Sequence, residues 1–213
     1  VTKVAVLGAA GAIAKLAIRQ LLEDQSNELT LFLRNSKRLK DLPDDHVQMV
    51  DGDVLDQELL TRSVSDQDVV YANLGGHDIE AQARAVVSAL GAAGTRRLIW
   101  ISTLGIYNEV PGEFGKWNHQ MLDGGYLEPY SAAAQVVESS DLDYTIIRPA
   151  WLTDTDEVDY ELTQKGEPFQ GTEVSRRSVA DLVVRLIQDP TRDIGSSLGV
   201  DKPGTDADKP SWY

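Results

Sequence analysis

Val4-Ala5-Val6-Leu7-Gly8-Ala9-Ala10-Gly11-Ala12-Ile13-Ala14 is the stretch whose reading decides the fold. Four apolar residues read as a short strand, Gly8 to Gly11 as a tight turn, and Ala12 onward as the start of a helix. Gly8, Gly11 and Ala14 have the spacing of a dinucleotide fingerprint, and the chemistry explains that spacing. Gly8 permits the sharp turn, Gly11 lets the backbone approach a pyrophosphate, and a small residue at Ala14 lets the helix lie close on its strand. The helix start then offers free N–H groups and a positive dipole end, so the stretch reads as an anion cradle with Gly8, Ala10, Gly11, Ala12 and Ile13 at the pyrophosphate.

Composition narrows the use of such a cradle. A chain of 213 residues suits one substantial core, so residues 1–213 are expected to form a single domain with a polar tail over 201–213. A net charge of −14 argues against nucleic acid and anionic membrane surfaces as partners, because both want a basic face. The expected partner is a small-molecule substrate and the expected state a monomer or weak homodimer. With no cysteine, thiolate catalysis, disulfides and cysteine metal sites are excluded. No apolar run approaches the length of a membrane span, and the first residues read directly as strand, so a cytoplasmic protein is expected. No metal site is expected, since the histidines lack ligand spacing.

Working outward, strand and helix alternate. Ile13, Leu16, Ala17, Gln20 and Leu21 fall at helical spacing, and Leu29 to Leu33 form the continuous apolar run of a strand buried on both faces. The residue at the end of that second strand selects the cofactor: an acid there holds a ribose 2′-hydroxyl, an arginine accommodates a 2′-phosphate. Arg34 occupies the position, with Asn35, Ser36, Lys37 and Arg38 next in the chain, a basic cluster out of character in so acidic a protein. NADP is therefore expected in preference to NAD, with Arg34, Asn35 and Arg38 at the phosphate. A third strand, His46 to Val50, leads to Asp53 and Val54, read as lying near the adenine. Leu55 to Val64 read as helix and Val69 to Asn73 as the fourth strand, after which Asn73, Leu74 and Gly75 give the cofactor's middle a flat backbone. Ile79 to Ala93 read as the next helix, capped by Gly94, and Arg97 to Ile101 as the fifth strand.

The fifth strand ends in Ser102-Thr103-Leu104-Gly105, and here a resemblance emerges. An opening glycine turn, Gly52-Asp53 after the third strand and Ser102-Thr103 after the fifth resemble the short-chain dehydrogenase/reductase superfamily. Leu142-Asp143-Tyr144-Thr145-Ile146-Ile147-Arg148-Pro149 resembles the sixth strand of its atypical, NmrA-like branch, and the small form is similar to the biliverdin and flavin reductases. The resemblance covers roughly residues 3 to 200. It implies an NAD(P)-binding Rossmann domain with substrate over the carboxyl ends of the strands, Ser102 beside both cofactor and reacting carbon, and Pro149 and Ala150 beside the nicotinamide.

The resemblance breaks at the catalytic dyad. Members that oxidise alcohols carry a tyrosine and, four residues later, a lysine; the matching positions here are Tyr130 and Ala134. Tyr130 retains a proton to give but has no partner to make it a base at neutral pH. Tyr107 to Leu127 would cap the substrate, with His119 and Asp123 paired if that segment is helical. Asp154 to Phe169 read as an acidic excursion over the site, Ser178 as the N-cap of a helix with Val179, Leu182, Val183, Leu186 and Ile187 as its apolar face, and Ser197 to Val200 as a short seventh strand. The expected fold is a doubly wound parallel α/β sheet in the order 3-2-1-4-5-6. Two functions fit: an NADPH-dependent oxidoreductase passing hydride to a flavin- or quinone-type acceptor, with Ser102, Thr103 and Tyr130 facing the reacting carbon, or a non-catalytic NADP(H)-binding regulator or redox sensor.

Overall fold

The computed structural model describes residues 1–39, 42 and 45–213. Strands β1 (Thr2–Leu7), β2 (Asn27–Leu33), β3 (Val47–Asp51), β4 (Val69–Ala72), β5 (Arg97–Ile101) and β6 (Asp143–Pro149) run parallel in the spatial order β3-β2-β1-β4-β5-β6. Helices α1 (Ala12–Leu21), α2 (Gln57–Val64), α3 (Ile79–Ala93), α4 (Gly112–Leu122) and α5 (Leu127–Glu138) fill the connections. Strands β4 and β5 are buried from end to end, which is why they lack the polar alternation of a half-exposed strand.

Alternation decides which core each strand residue enters. Val4 and Val6 pack with Ile13, Ala17, Ile18 and Leu21 of α1 on one face, whereas Ala5 and Leu7 pack with α2, α3 and α5 on the other. Ala14 and Ala17 are wholly buried, so α1 lies close on the sheet as small residues allow. Gly94 ends α3 in the left-handed conformation at φ 75°, where its N–H closes onto Leu90.

Beyond β6 the structure departs from the sequence expectation. Strand β7 (Trp151–Thr153) pairs with β9 (Glu173–Ser175) in a separate two-stranded ribbon, while β8 (Glu161–Thr163) joins the main sheet antiparallel to β10 (Ser196–Asp201), which is parallel to β6. The seventh strand is thus six residues long, and part of the segment expected to cover the site is an eighth strand in the sheet's own plane. Helix α6 (Arg176–Gln188) is capped by Ser175, whose Oγ accepts from Ser178 N–H at 2.9 Å; Ser178, expected as the cap, is fully buried one turn inside. The polar tail begins after Asp201, which is itself a buried strand residue, and Tyr213 docks edge-on against Trp117 and Trp151. Among the described residues no helix is long and apolar enough to cross a membrane.

Candidate cofactor and substrate site

The glycine turn is shaped by its surroundings. Gly8 sits at φ 75°, its N–H donating to Phe32 O at 2.9 Å, and Gly11 N–H closes the turn onto Gly8 O at 2.9 Å. A Cβ on Gly8 would collide with the Asn73 carbonyl oxygen, so that glycine is required by close approach of the β4 end; one on Gly11 would displace the Asn73 side-chain amide. Gly11 is the N-cap of α1 and brings no side chain to its N–H groups; Lys15 N–H is the one that bonds back to Gly11 O. The N–H groups of Ala12, Ile13 and Ala14 therefore lack intrahelical partners and no acidic residue stands in the first turn. That arrangement suits a pyrophosphate.

A cleft of about 230 Å³ opens from this turn. Gly8, Ala10, Gly11, Arg34, Arg38, Asp53, Val54, Asn73, Leu74 and Gly75 all wall it, so four separate strand ends converge on one groove. Ala12 and Ile13 stand beyond those walls in the first turn of α1, and the Asn35 N–H is turned toward β3. Asp53 is exposed and its Oδ1 accepts from Leu55 N–H at 2.9 Å, fixing the loop before α2. Phe32, Leu33, Gly52, Asp78 and Gln82 complete the wall, and of these Asp78 and Gln82 carry polar side chains that escaped sequence reasoning. Gln82 Nε2 donates to Gly75 O at 2.9 Å and to Asp78 Oδ1 at 2.7 Å, which ties the floor of the cleft to α3. A glutamine inside an amphipathic helix carries no sequence signal of such a role. The donor set fits a dinucleotide: backbone N–H groups and a helix start suit a diphosphate, and two guanidinium groups line the same cleft.

The remaining expected residues lie along the ends of β5, β6 and α5. Ser102 is buried, its N–H is used by Ile147 O at 2.7 Å, and its Oγ has no hydrogen-bond partner among the described residues. Tyr130, half-buried on α5, places its hydroxyl 2.9 Å from where a Gly75 Cβ would stand, and so reaches the cofactor cleft's edge. Its ring stacks on Tyr126 at 4.8 Å, a neighbour that sequence reasoning did not single out. Ala134, one turn on from Tyr130, is completely buried among Ala133, Val137 and the α3 face. Pro149 and Ala150 are buried, and the Ala150 N–H is committed to Val200 O at 2.9 Å. Thr103 lies just past the end of β5 beside them.

Next to this end lies a buried ion pair. Arg148 Nη1 meets Glu109 Oε1 at 2.7 Å with both side chains out of solvent, and Nε and Nη2 bond to Ser197. Glu109 also accepts from Gly105 N–H and Tyr107 N–H, so one carboxylate holds the loop after Thr103 to β6, and Arg148 carries the link on to β10. Burial, then the Glu138 hydrogen bond, pushes the Tyr107 phenol up. His119 of α4 pairs at 2.9 Å with Asp123 at the helix's C-terminal cap, and the other ring nitrogen meets Asn108 Oδ1 at 2.9 Å.

Comparison with known proteins places this geometry. A family model described as NAD(P)H-binding matches residues 8–190. The chain belongs to that NAD(P)H-binding family. It is similar to a Rossmann-fold NAD(P)-binding family protein from Shigella flexneri, 42% identical over 98% of each chain with a TM-score of 0.86. It is similar also to a short-chain dehydrogenase/reductase from Veillonella parvula DSM 2008 solved in complex with NADP, 31% identical over 99% of each chain with a TM-score of 0.92. An anaerobillin reductase from Escherichia coli O157:H7, 21% identical over 97% of this chain and 100% of its own, shares the fold at a TM-score of 0.80. No curated protein matches the sequence. This NAD(P)H-binding protein is thus a Rossmann-fold relative of the short-chain dehydrogenases/reductases.

Proposed function

We propose that the protein is an NADPH-dependent reductase that passes hydride to a small planar acceptor of flavin or quinone type. The observation that carries this reading is the buried Ala134 on the face of α5 that bears Tyr130. A lysine there would bury an ammonium among alanines and valines, so this helix is built without the group that would make Tyr130 a base. Alcohol oxidation needs such a base; reduction of an acceptor that delocalises incoming charge and collects its proton from water does not.

The residues have separate duties. The first turn of α1 and Gly11 hold the diphosphate, Arg34 and Arg38 the 2′-phosphate, and Asp53 stands by the adenine. Bound NADPH supplies the hydride. Ser102, Thr103 and Tyr130 line the reacting end, where their work is to orient the two rings and keep solvent from separating them. The complex of the Veillonella relative with NADP supports the choice of cofactor.

The test is a steady-state assay of NADPH oxidation with a flavin, a quinone and a linear tetrapyrrole, beside a panel of secondary alcohols with NADP. Turnover of at least one planar acceptor and no alcohol oxidation is expected. Tight NADPH binding with no turnover of any acceptor would instead favour an NADP(H) sensor.

A further inference from the structure

The turn between Arg34 and Arg38 is shaped from a neighbouring strand. Asn35 adopts φ 66°, an unfavourable conformation for a residue with a side chain, and the short 3₁₀ turn Ser36–Leu39 after it carries Arg38. Asp51, the last residue of β3, stands level with Leu33 of β2, immediately beside this turn. One of its oxygens accepts from Asn35 N–H at 2.7 Å; the other accepts from Ser36 N–H at 2.9 Å and from Ser36 Oγ at 2.7 Å. Three donors therefore converge on one carboxylate, which works as an N-cap supplied from sixteen residues away in the chain. The Ser36 N–H first, then its hydroxyl and Asn35, hold the Asp51 carboxyl below the usual carboxylate range, so it is charged at neutral pH.

We propose that Asp51 is a positioning residue for recognition of the 2′-phosphate: by capping the turn it keeps Arg34 and Arg38 on one wall of the cleft. The inference rests on the NADPH reading above and adds a residue that never touches the ligand. Arg34 and Arg38 are both exposed, and long exposed side chains lose rotamer freedom when they clamp a phosphate. Fixing the backbone that bears them lowers the remaining ordering cost, and only a ligand carrying the phosphate benefits. Adenine, ribose and diphosphate are held by other strand ends, so their binding does not depend on this turn.

Calorimetric titration of the intact protein with NADPH, NADH, 2′,5′-ADP and 5′-AMP tests it, using Asp51→Ala and Asp51→Asn. For Asp51→Ala the Kd of NADPH and of 2′,5′-ADP should rise about tenfold, the loss expected of an N-cap, while NADH and 5′-AMP change less than about twofold. Asp51→Asn, which keeps an acceptor oxygen, should fall between. Retained NADH binding shows that each variant is folded. Tighter NADPH binding in Asp51→Ala would mean that the carboxylate competes with the phosphate for these donors, and overturns the proposal; so do unchanged binding and an equal loss for all four ligands. If the unmutated protein shows no preference for NADPH over NADH, both the cofactor reading and this inference fall. If the preference exists and survives both substitutions, the inference about Asp51 falls alone.

Discussion

The two ends of the site are built from different materials. At the β1 to β4 end the groove is made of backbone: a left-handed Gly8, the uncapped first turn of α1, and the Asn73–Gly75 strand end pressed against both glycines. At the β5 to β6 end it is made of side chains drawn from distant positions. There Tyr130 meets Gly75, Arg148 pairs with Glu109, and Glu109 in turn holds the loop after Thr103. A backbone cradle tolerates few substitutions and binds one chemistry, a diphosphate. A side-chain pocket can be rebuilt piece by piece, which is how a fold retains its cofactor while its reaction changes.

That contrast is testable, and the largest effect should come from the backbone end. Gly8→Ala places a Cβ against the Asn73 carbonyl at a positive φ, so NADPH and NADH binding should both weaken by about a hundredfold and stability fall by about 3 kcal/mol. Calorimetry and thermal unfolding check both; wild-type affinity would break the comparison at its stronger end. Arg34→Ala should weaken NADPH by about 2 kcal/mol, about 30-fold in Kd, as for loss of a charge-assisted pair. NADH should hardly change. Equal losses for both cofactors would remove Arg34 from the 2′-phosphate.

Away from the cradle the effects should be smaller and more dependent on conditions. Asp201 is fully buried at the end of β10 opposite Glu161 of β8, and burial, reinforced by the Glu161 carboxylate and opposed by the Gly171 N–H, pushes its carboxyl up to about 7. In the unfolded chain that group loses its proton near its ordinary value of 3.8, whereas the fold retains it. Stability contributed here is therefore present below about pH 4, falls as pH rises, and is lost by about pH 7. Asp201→Asn, which imitates the protonated acid, should be more stable than the unmutated protein at about pH 8 and no more stable at about pH 4. Chemical denaturation at the two pH values measures it, and a pH-independent difference would show that Asp201 is ionised in the fold. The smallest effect belongs to Tyr130. Tyr130→Phe should lower kcat/KM for a flavin or quinone less than about tenfold, below about 1.4 kcal/mol of transition-state stabilisation. A thousandfold loss would mean that Tyr130 is an activated acid or base and that the two ends of the site are equally demanding.

Legibility divides along the same line. The order 3-2-1-4-5-6 could be read because buried parallel strands are continuous apolar runs and the glycine spacing marks the first of them. Ten of the expected cofactor residues wall one cleft because each lies within a few positions of a strand end, and strand ends meet at the carboxyl edge of such a sheet. The roles of Asp51, Asp78 and Gln82 were not legible because their work is to hold groups elsewhere in space by hydrogen bonds, and no local pattern marks an aspartate or glutamine for that. The helix cap moved from Ser178 to Ser175 because two serines three residues apart each offer an Oγ, and burial of Ser178 beneath Glu157 and Asp159 settled the choice.

By itself the sequence determined the sheet, its handed order and the anion cradle, since these depend on apolar runs and on residues without side chains, whose constraints are local. Tertiary structure alone decided that β8 closes the sheet's far edge, that Arg148 is paired with Glu109 out of water, that Tyr213 docks on Trp117 and Trp151, and that Ala134 is core. Each of those outcomes depends on which distant groups share a low-dielectric space, and burial of a charge or a ring is fixed by its surroundings in three dimensions and not by its neighbours in the chain.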